Sequence, residues 1–222
     1  MQKLMLASGL IMAGAHSHGG GMANMMTGHA NYTADGVMAR GYMAYSSDHC
    51  SSTSKCPAVA IMPDWNGIDS YEMERAHMLA MEGWFAFVVD IYGVATVESW
   101  GDMPGSDNYR DAANAHRENA AMFMAKMTDG LMHMATYDVV DTNNMGAIGY
   151  CFGGTGVVNL ALAGHSGMYS VPAGLKVVAS FHAGTSGMIT MQNSTSYPAI
   201  AIHNGWSDGG GIDATKMVEL MD

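Results

Sequence analysis

Gly149-Tyr150-Cys151-Phe152-Gly153-Gly154 is the stretch on which the reading of this chain turns. It lies between an apolar run at residues 145–150, which has the length and content of a strand, and a small-residue segment at residues 153–163, which reads as a helix. Glycine, any residue, nucleophile, any residue, glycine in a strand-to-helix setting is the pattern of a nucleophile elbow. Such a turn is so sharp that its central residue takes a strained backbone conformation, and a Cβ on its neighbours would clash, hence Gly149 and Gly153. Cys151 would then raise its sulfur above the sheet at a helix amino terminus, where the dipole and unpaired N–H groups favour thiolate. The Phe152 N–H would face an oxyanion formed on attack. A buried cysteine before an ordinary glycine-rich turn would show the same letters, so the flanking pattern carries the assignment.

That pattern extends in both directions. Residues 37–45 have strand character, residues 58–62 are a short apolar run bounded by Pro57 and Pro63, and residues 85–92 are a third. Residues 70–82 carry charges and apolar side chains at helical spacing, and strand, helix and strand in that order imply a right-handed crossover and a parallel sheet. A polar loop at residues 93–105 precedes a long helical region at residues 108–134, which is expected to break near Asp129-Gly130. Residues 175–181 and 198–203 read as further strands, and no internal repeat interrupts the alternation. The expected class is α/β, a mostly parallel sheet flanked by helices.

Length and composition bound the rest. A chain of 222 residues is long enough for one sizeable core and short for two, and 49% hydrophobic with 13% charged residues is a globular profile. A net charge of -11 works against a phosphate-backbone partner, and no nucleic-acid module is present. The 24 methionines sit where Leu-like residues would serve and read as core filler, because Met packs irregular gaps.

Lys3, the apolar run at residues 4–13 and Ala13-Gly14-Ala15 read as a signal peptide over residues 1–15, implying secretion or a secretory-pathway lumen. That run is shorter than the roughly 20 residues of a membrane-spanning helix, so no membrane insertion is expected. Residues 16–35, rich in His, Met and Gly, read as a flexible lead-in, with His16, His18 and His29 as an alternative copper or nickel site. Cys50 and Cys56 bracket a short polar loop where they could pair after export, leaving Cys151 for another role. Asn31-Tyr32-Thr33 and Asn193-Ser194-Thr195 are glycosylation sequons compatible with that route.

The elbow resembles that of the dienelactone hydrolases. Asp64-Trp65-Asn66-Gly67, Arg75-Ala76, Asp90-Ile91-Tyr92-Gly93 and Ser180-Phe181-His182-Ala183-Gly184 all occur in family order, from Gly36 onward. The resemblance implies an α/β-hydrolase fold and a Cys, Asp and His triad that hydrolyses an ester or enol-lactone with no metal or organic cofactor. Cys151 matches the nucleophile and Asp208 the acid that orients the histidine, with Asp213 a substitute. Asp64 matches a position, usually Glu, that contacts the thiol and readies it. The Trp65 N–H would join that of Phe152 in an oxyanion hole, while His182 and Tyr92 belong to the pocket and not to the triad. By itself, Asp64-Trp65-Asn66-Gly67 also suits a plain turn.

Two departures follow. In family order the triad histidine lies a helix and a strand beyond the acid, and no histidine follows His203, so the reading is of a fold whose last helix and strand are missing from an incomplete chain. The Arg that in bacterial relatives follows Asp-x-Tyr and holds the substrate carboxylate is replaced by Gly93, which admits a neutral ester, lactone or thioester. The expected function is hydrolysis of a small ester or lactone. The rival is a non-catalytic binding or assembly protein on a hydrolase scaffold. Nothing in the sequence indicates the oligomeric state.

Overall fold

The computed structural model describes residues 24–102 and 104–205. The signal peptide, His16, His18, Asp208 and Asp213 lie outside the described residues.

Among the described residues, seven strands form one sheet in the order β1-β2-β4-β3-β5-β6-β7. They are β1 (Met25–Ala34), β2 (Val37–Ser46), β3 (Cys56–Met62), β4 (Phe85–Val88), β5 (Val140–Tyr150), β6 (Leu175–Phe181) and β7 (Ala199–His203). From β4 to β7 neighbouring strands are parallel, as the strand–helix–strand pattern implies, whereas β1 with β2 and β2 with β4 are antiparallel. Five helices accompany them among the described residues: α1 (Ser70–Met81), α2 (Val94–Ser99), α3 (Ser106–Glu118), α4 (Ala120–Met134) and α5 (Phe152–Ala163).

β1 corrects the lead-in reading, because residues 25–34 pair with β2 along their whole length. The cause is Asp35-Gly36, both with positive φ (48° and 75°), between the paired residues Ala34 and Val37. A two-residue Asp-Gly loop is the hairpin turn whose twist matches that of the flanking strands. His29 is therefore a strand residue, set edge-on to Tyr42 at 5.2 Å, and the described residues contain no group of three metal-ligating side chains.

Three further boundaries move. α2 occupies part of the expected 93–105 loop. The long helix breaks at Asn119 and not at Asp129-Gly130, since the Asn119 side chain caps α4 by accepting the Met122 N–H at 3.1 Å. Gly130 instead lets α4 lie against the sheet, because a Cβ there would come within 2.5 Å of Val89 Cγ1. β4 stops short of Tyr92 because the Asp90 carboxylate takes over the hydrogen bonding. One oxygen accepts the Tyr92 and Gly93 N–H groups at 3.0 and 2.8 Å, and the other accepts that of Arg40 at 2.8 Å.

The main core lies between the sheet and helices α4 and α5, with every residue of α5 buried. Met62, Met124, Met127 and Met134 fill it, as the Leu-like reading expects, while Met38, Met78, Met81 and Met132 are exposed. A smaller cluster joins the other face to α1. Cys50 and Cys56 form a disulfide, with Cα atoms 5.2 Å apart.

α1 opens on a capping box in which Asp69 accepts the Tyr71 N–H while Glu72 accepts the Asp69 N–H. Burial pushes the Glu72 carboxyl up to about 7, with the neighbouring Asp69 adding to the shift against the hydrogen bond that Glu72 receives. A carboxyl whose folded-state pKa is raised stabilises the fold in its protonated form, and that contribution fades as pH rises through the folded value. Wild-type stability should therefore fall by about 2 kcal/mol relative to Glu72→Gln between pH 4.5 and 7.5. Urea titrations of both proteins across that range check it, and parallel curves would contradict it.

Candidate active site

The elbow forms as the five-residue pattern requires. Cys151 has φ 50° and ψ -110° between β5 and α5, a conformation that a non-glycine residue holds only when its surroundings enforce it. The surroundings are backbone. The Cys151 N–H donates to the Phe181 carbonyl on β6 at 2.8 Å, and the Cys151 carbonyl accepts the Thr155 N–H at 3.1 Å. A Cβ on Gly149 would strike the Gly153 carbonyl, and one on Gly153 would strike the carbonyls of Met62 and Pro63 at the end of β3. Gly154 likewise lies against the Phe181 carbonyl and Ser180 Oγ on β6. The turn is thus wedged between two strand ends, with Cys151 half-buried at the amino terminus of α5.

Residues 63–69 form the facing wall. Asp64 folds back on its own turn, its carboxylate accepting the Asn66 N–H at 2.9 Å and its carbonyl the Gly67 N–H at 3.2 Å. Burial pushes its carboxyl above the ordinary range; the Asn66 hydrogen bond opposes this and the charge of Asp69 adds to it. The plain-turn reading of this tetrapeptide is therefore realised in the hydrogen bonds, on a loop that also borders the elbow. Among the described residues, neither the Trp65 N–H nor the Phe152 N–H donates to a protein acceptor.

Tyr92, in the turn that Asp90 organises, is buried between the two walls. Its ring stacks nearly parallel to Phe152, with centroids 6.1 Å apart, and its hydroxyl donates to the Trp65 carbonyl at 2.7 Å. Burial raises the Tyr92 pKa far above its ordinary value; Arg117 counteracts this, and the charges of Asp64 and Cys151 add to it. These three groups come from separate parts of the chain, and their charges act on one hydroxyl.

His182 follows β6 with φ 61°, and its N–H donates to the His203 carbonyl at 2.9 Å. Asn204 clamps the next residue, bonding the Ala183 N–H at 3.0 Å and the Ala183 carbonyl at 2.9 Å. His182 is exposed and adjoins Phe181, the residue whose carbonyl receives the Cys151 N–H.

Arg117 is the neighbour that the sequence did not reveal. Its guanidinium sits over the Phe152 ring, with Cζ 5.1 Å from the centroid, and its stem packs on Gly187, where a Cβ would be 2.9 Å from Cγ. Among the described residues no carboxylate forms a salt bridge with it. No motif surrounds Arg117 on α3, and only the packing of α3 against the elbow brings it there.

A model of the dienelactone hydrolase family matches residues 39–215. No curated protein matches. Among solved structures, one described as m3DLH superposes with a TM-score of 0.71 at 22% identity, covering 90% of this chain and 76% of its own. A dienelactone hydrolase-like promiscuous phosphotriesterase from metagenomic libraries gives 0.72 at 20% identity, with the same coverage of 90% and 76%. The esterase Est22 gives 0.51 at 14% identity, covering 88% of this chain and 57% of its own. These likenesses share the fold, and the family match spans the elbow, the facing wall and Tyr92. The chain therefore belongs to the dienelactone hydrolase family and is a hydrolase of the α/β-hydrolase type.

Proposed function

We propose that this protein hydrolyses a small ester or lactone through an acyl-enzyme on Cys151. The observation that carries the reading is the enforced positive φ of Cys151 at the amino terminus of α5, beside the Phe152 N–H, which meets no protein acceptor among the described residues. In the first step the Cys151 thiolate forms a C–S bond with the acyl carbon, and the carbonyl electrons move to oxygen, where the Phe152 and Trp65 N–H groups receive them. The C–O bond to the leaving alcohol then breaks, the carbonyl re-forms, and the alkoxide takes a proton from solvent water. Water then adds to the thioester carbon, the C–S bond breaks, and the acid and the Cys151 thiolate are released, with the remaining proton passing to solvent. In this reading Asp64 supports the thiol, and Asp208 orients the base, as the resemblance implies. Tyr92 and His182 line the pocket, and Gly149 and Gly153 hold the elbow. No cofactor takes part.

Incubation with p-nitrophenyl acetate followed by peptide mass spectrometry tests this, the expected product being an acetyl group that appears on Cys151 at the rate of the first p-nitrophenolate release. An unmodified Cys151 in protein that retains its fold would instead support the non-catalytic scaffold.

On the substrate, Arg117 supplies a positive charge that Gly93 does not. An ester bearing a carboxylate on its acyl chain should acylate wild-type protein faster than its methyl-capped analogue, and Arg117→Gln should reduce that preference about tenfold through loss of the charge. Equal ratios in the two proteins would sink the assignment. The protein is also proposed to work in an oxidising, secretory environment, a reading supported by the Cys50–Cys56 disulfide and the form of residues 1–15. No helix among the described residues is long and apolar enough to cross a membrane.

A further inference from the structure

We propose that Tyr92 is the positioning residue of the oxyanion hole, its phenol joining the loop that carries one N–H donor to the elbow that carries the other. The inference rests on the acyl-enzyme reading above and adds a role for a side chain outside the triad.

The two donors have different origins. Phe152 is fixed by the elbow, whose backbone is wedged between β3 and β6. Trp65 lies on a half-buried turn whose own hydrogen bonds, Asn66 N–H to the Asp64 carboxylate and Gly67 N–H to the Asp64 carbonyl, are internal to it. Those bonds shape the turn without relating it to the elbow. Pro63, at the start of the turn, abuts Gly153, and Tyr92 ties Trp65 itself to Phe152. Its hydroxyl donates to the Trp65 carbonyl at 2.7 Å across 27 residues of sequence, and its ring faces Phe152 with an interplanar angle of 9°. The ring also covers Gly67, where a Cβ would sit 3.5 Å from Tyr92 Cδ2. A single side chain therefore touches both donor residues and the end of the turn.

Tyr92 is itself held. The Asp90 carboxylate grips its N–H at 3.0 Å, the Asp90 N–H donates to the Tyr32 hydroxyl at 3.0 Å, and Trp100 and His116 meet the Tyr92 ring edge-on at 5.4 and 5.3 Å. With burial and two nearby anions opposing its ionisation, the phenol keeps its proton and remains a donor to the Trp65 carbonyl throughout the working pH range. The consequence for catalysis is geometric. An oxyanion hole is effective when its donors are set in advance at the position the oxygen will reach, and removing one donor typically costs about 10²–10³-fold in rate. Loosening one donor should cost part of that.

Tyr92→Phe separates this role from general packing, because it keeps the ring against Phe152 and Gly67 and removes only the bond to Trp65. Two reactions at the same sulfur are compared. Acylation of Cys151 by p-nitrophenyl acetate passes through an oxyanion, whereas alkylation by iodoacetamide displaces iodide at a CH2 group and develops no charge on the carbonyl oxygen beyond its resting polarity. The expected result is that Tyr92→Phe slows acylation about 10- to 100-fold, with the loss in the maximal rate and not in half-saturation, while alkylation changes less than about twofold. Equal acylation rates in the two proteins would overturn the inference and leave the acyl-enzyme reading intact. A parallel loss in both reactions would also overturn it, since Tyr92 would then be supporting the thiol or the fold. If wild-type Cys151 is alkylated but never acylated, the acyl-enzyme reading fails and takes this role of Tyr92 with it.

Discussion

Replacing Cys151 with alanine is expected to abolish the first-turnover release of p-nitrophenolate from p-nitrophenyl acetate, a fall of at least about 10³-fold to the rate in buffer. The substitution removes the sulfur and keeps a Cβ, so the backbone demand of the positive φ is unchanged and the elbow should hold. Cys151 N–H to Phe181 and Thr155 N–H to Cys151 are backbone bonds that alanine preserves. A thermal melt within about 2 °C of wild type, together with a lost burst, would place the whole effect on the nucleophile. Retention of the burst in Cys151→Ala would mean that another group attacks, and the acyl-enzyme proposal would be abandoned. Cys151→Ser adds a graded test. The hydroxyl is a far weaker nucleophile without a strong adjacent base, so slow acylation well below wild type is expected.

Gly153→Ala should produce a large loss of stability, about 3 kcal/mol, which for a chain of this size lowers the melting temperature by roughly 6–12 °C. Helix propensity alone has the opposite sign, because alanine within a helix is favoured over glycine by about 1 kcal/mol. The outcome therefore discriminates between local and tertiary control of this residue. The added Cβ would meet the carbonyl oxygens of Met62 and Pro63, which are backbone atoms at the end of a buried strand and have little room to retreat. α5 would have to lift away from β3, separating Phe152 from the loop that begins at Asp64, and Cys151 acylation should fall by more than tenfold. Gly105→Ala is the control. The nearest atom to a Cβ there is Asn108 Oδ1 at 4.0 Å, so chemical denaturation should show a change within about 0.5 kcal/mol. A stabilised Gly153→Ala would show that α5 does not depend on this close approach.

Both predictions concern the part of the molecule most legible from the amino acids. Gly149, Cys151 and Gly153 declare a strained strand-to-helix turn. Gly153 is declared by this motif although its steric demand comes from β3, whereas that of Gly149 is local: a Cβ there would be excluded by the Gly153 carbonyl, four residues away. The same locality explains why β6 has its expected ends and why α1 agrees with its expected span to one residue at its end. Where a boundary was set by a distant partner, the residues alone misled. β1 has little alternation of its own and is a strand through its pairing with β2, although the adjacent Asp35-Gly36 carries a local hairpin signal. Asp129-Gly130 has the composition of a helix break, yet Gly130 lies inside α4 because Val89 approaches it from β4's end. The apolar run through Tyr92 reads as strand to its end, but Asp90 diverts the backbone bonding after Val89, whose N–H still reaches the Ile61 carbonyl.

The candidate site divides along the same line. By itself the sequence determined the elbow, the identity of the candidate nucleophile and, through resemblance, the family, since each depends on residue types within a few positions or on segments in a fixed order. Only the tertiary structure decided that Tyr92 reaches the Trp65 carbonyl, that Arg117 lies over Phe152, and that the Trp65 and Phe152 N–H groups meet no acceptor among the described residues. These relations join residues 27 or more positions apart, and their distances are set by how β3, α3 and α5 pack on a shared core. Short-range sterics can be read from neighbouring residues, whereas a contact made across the core exists only once many side chains have settled its spacing together.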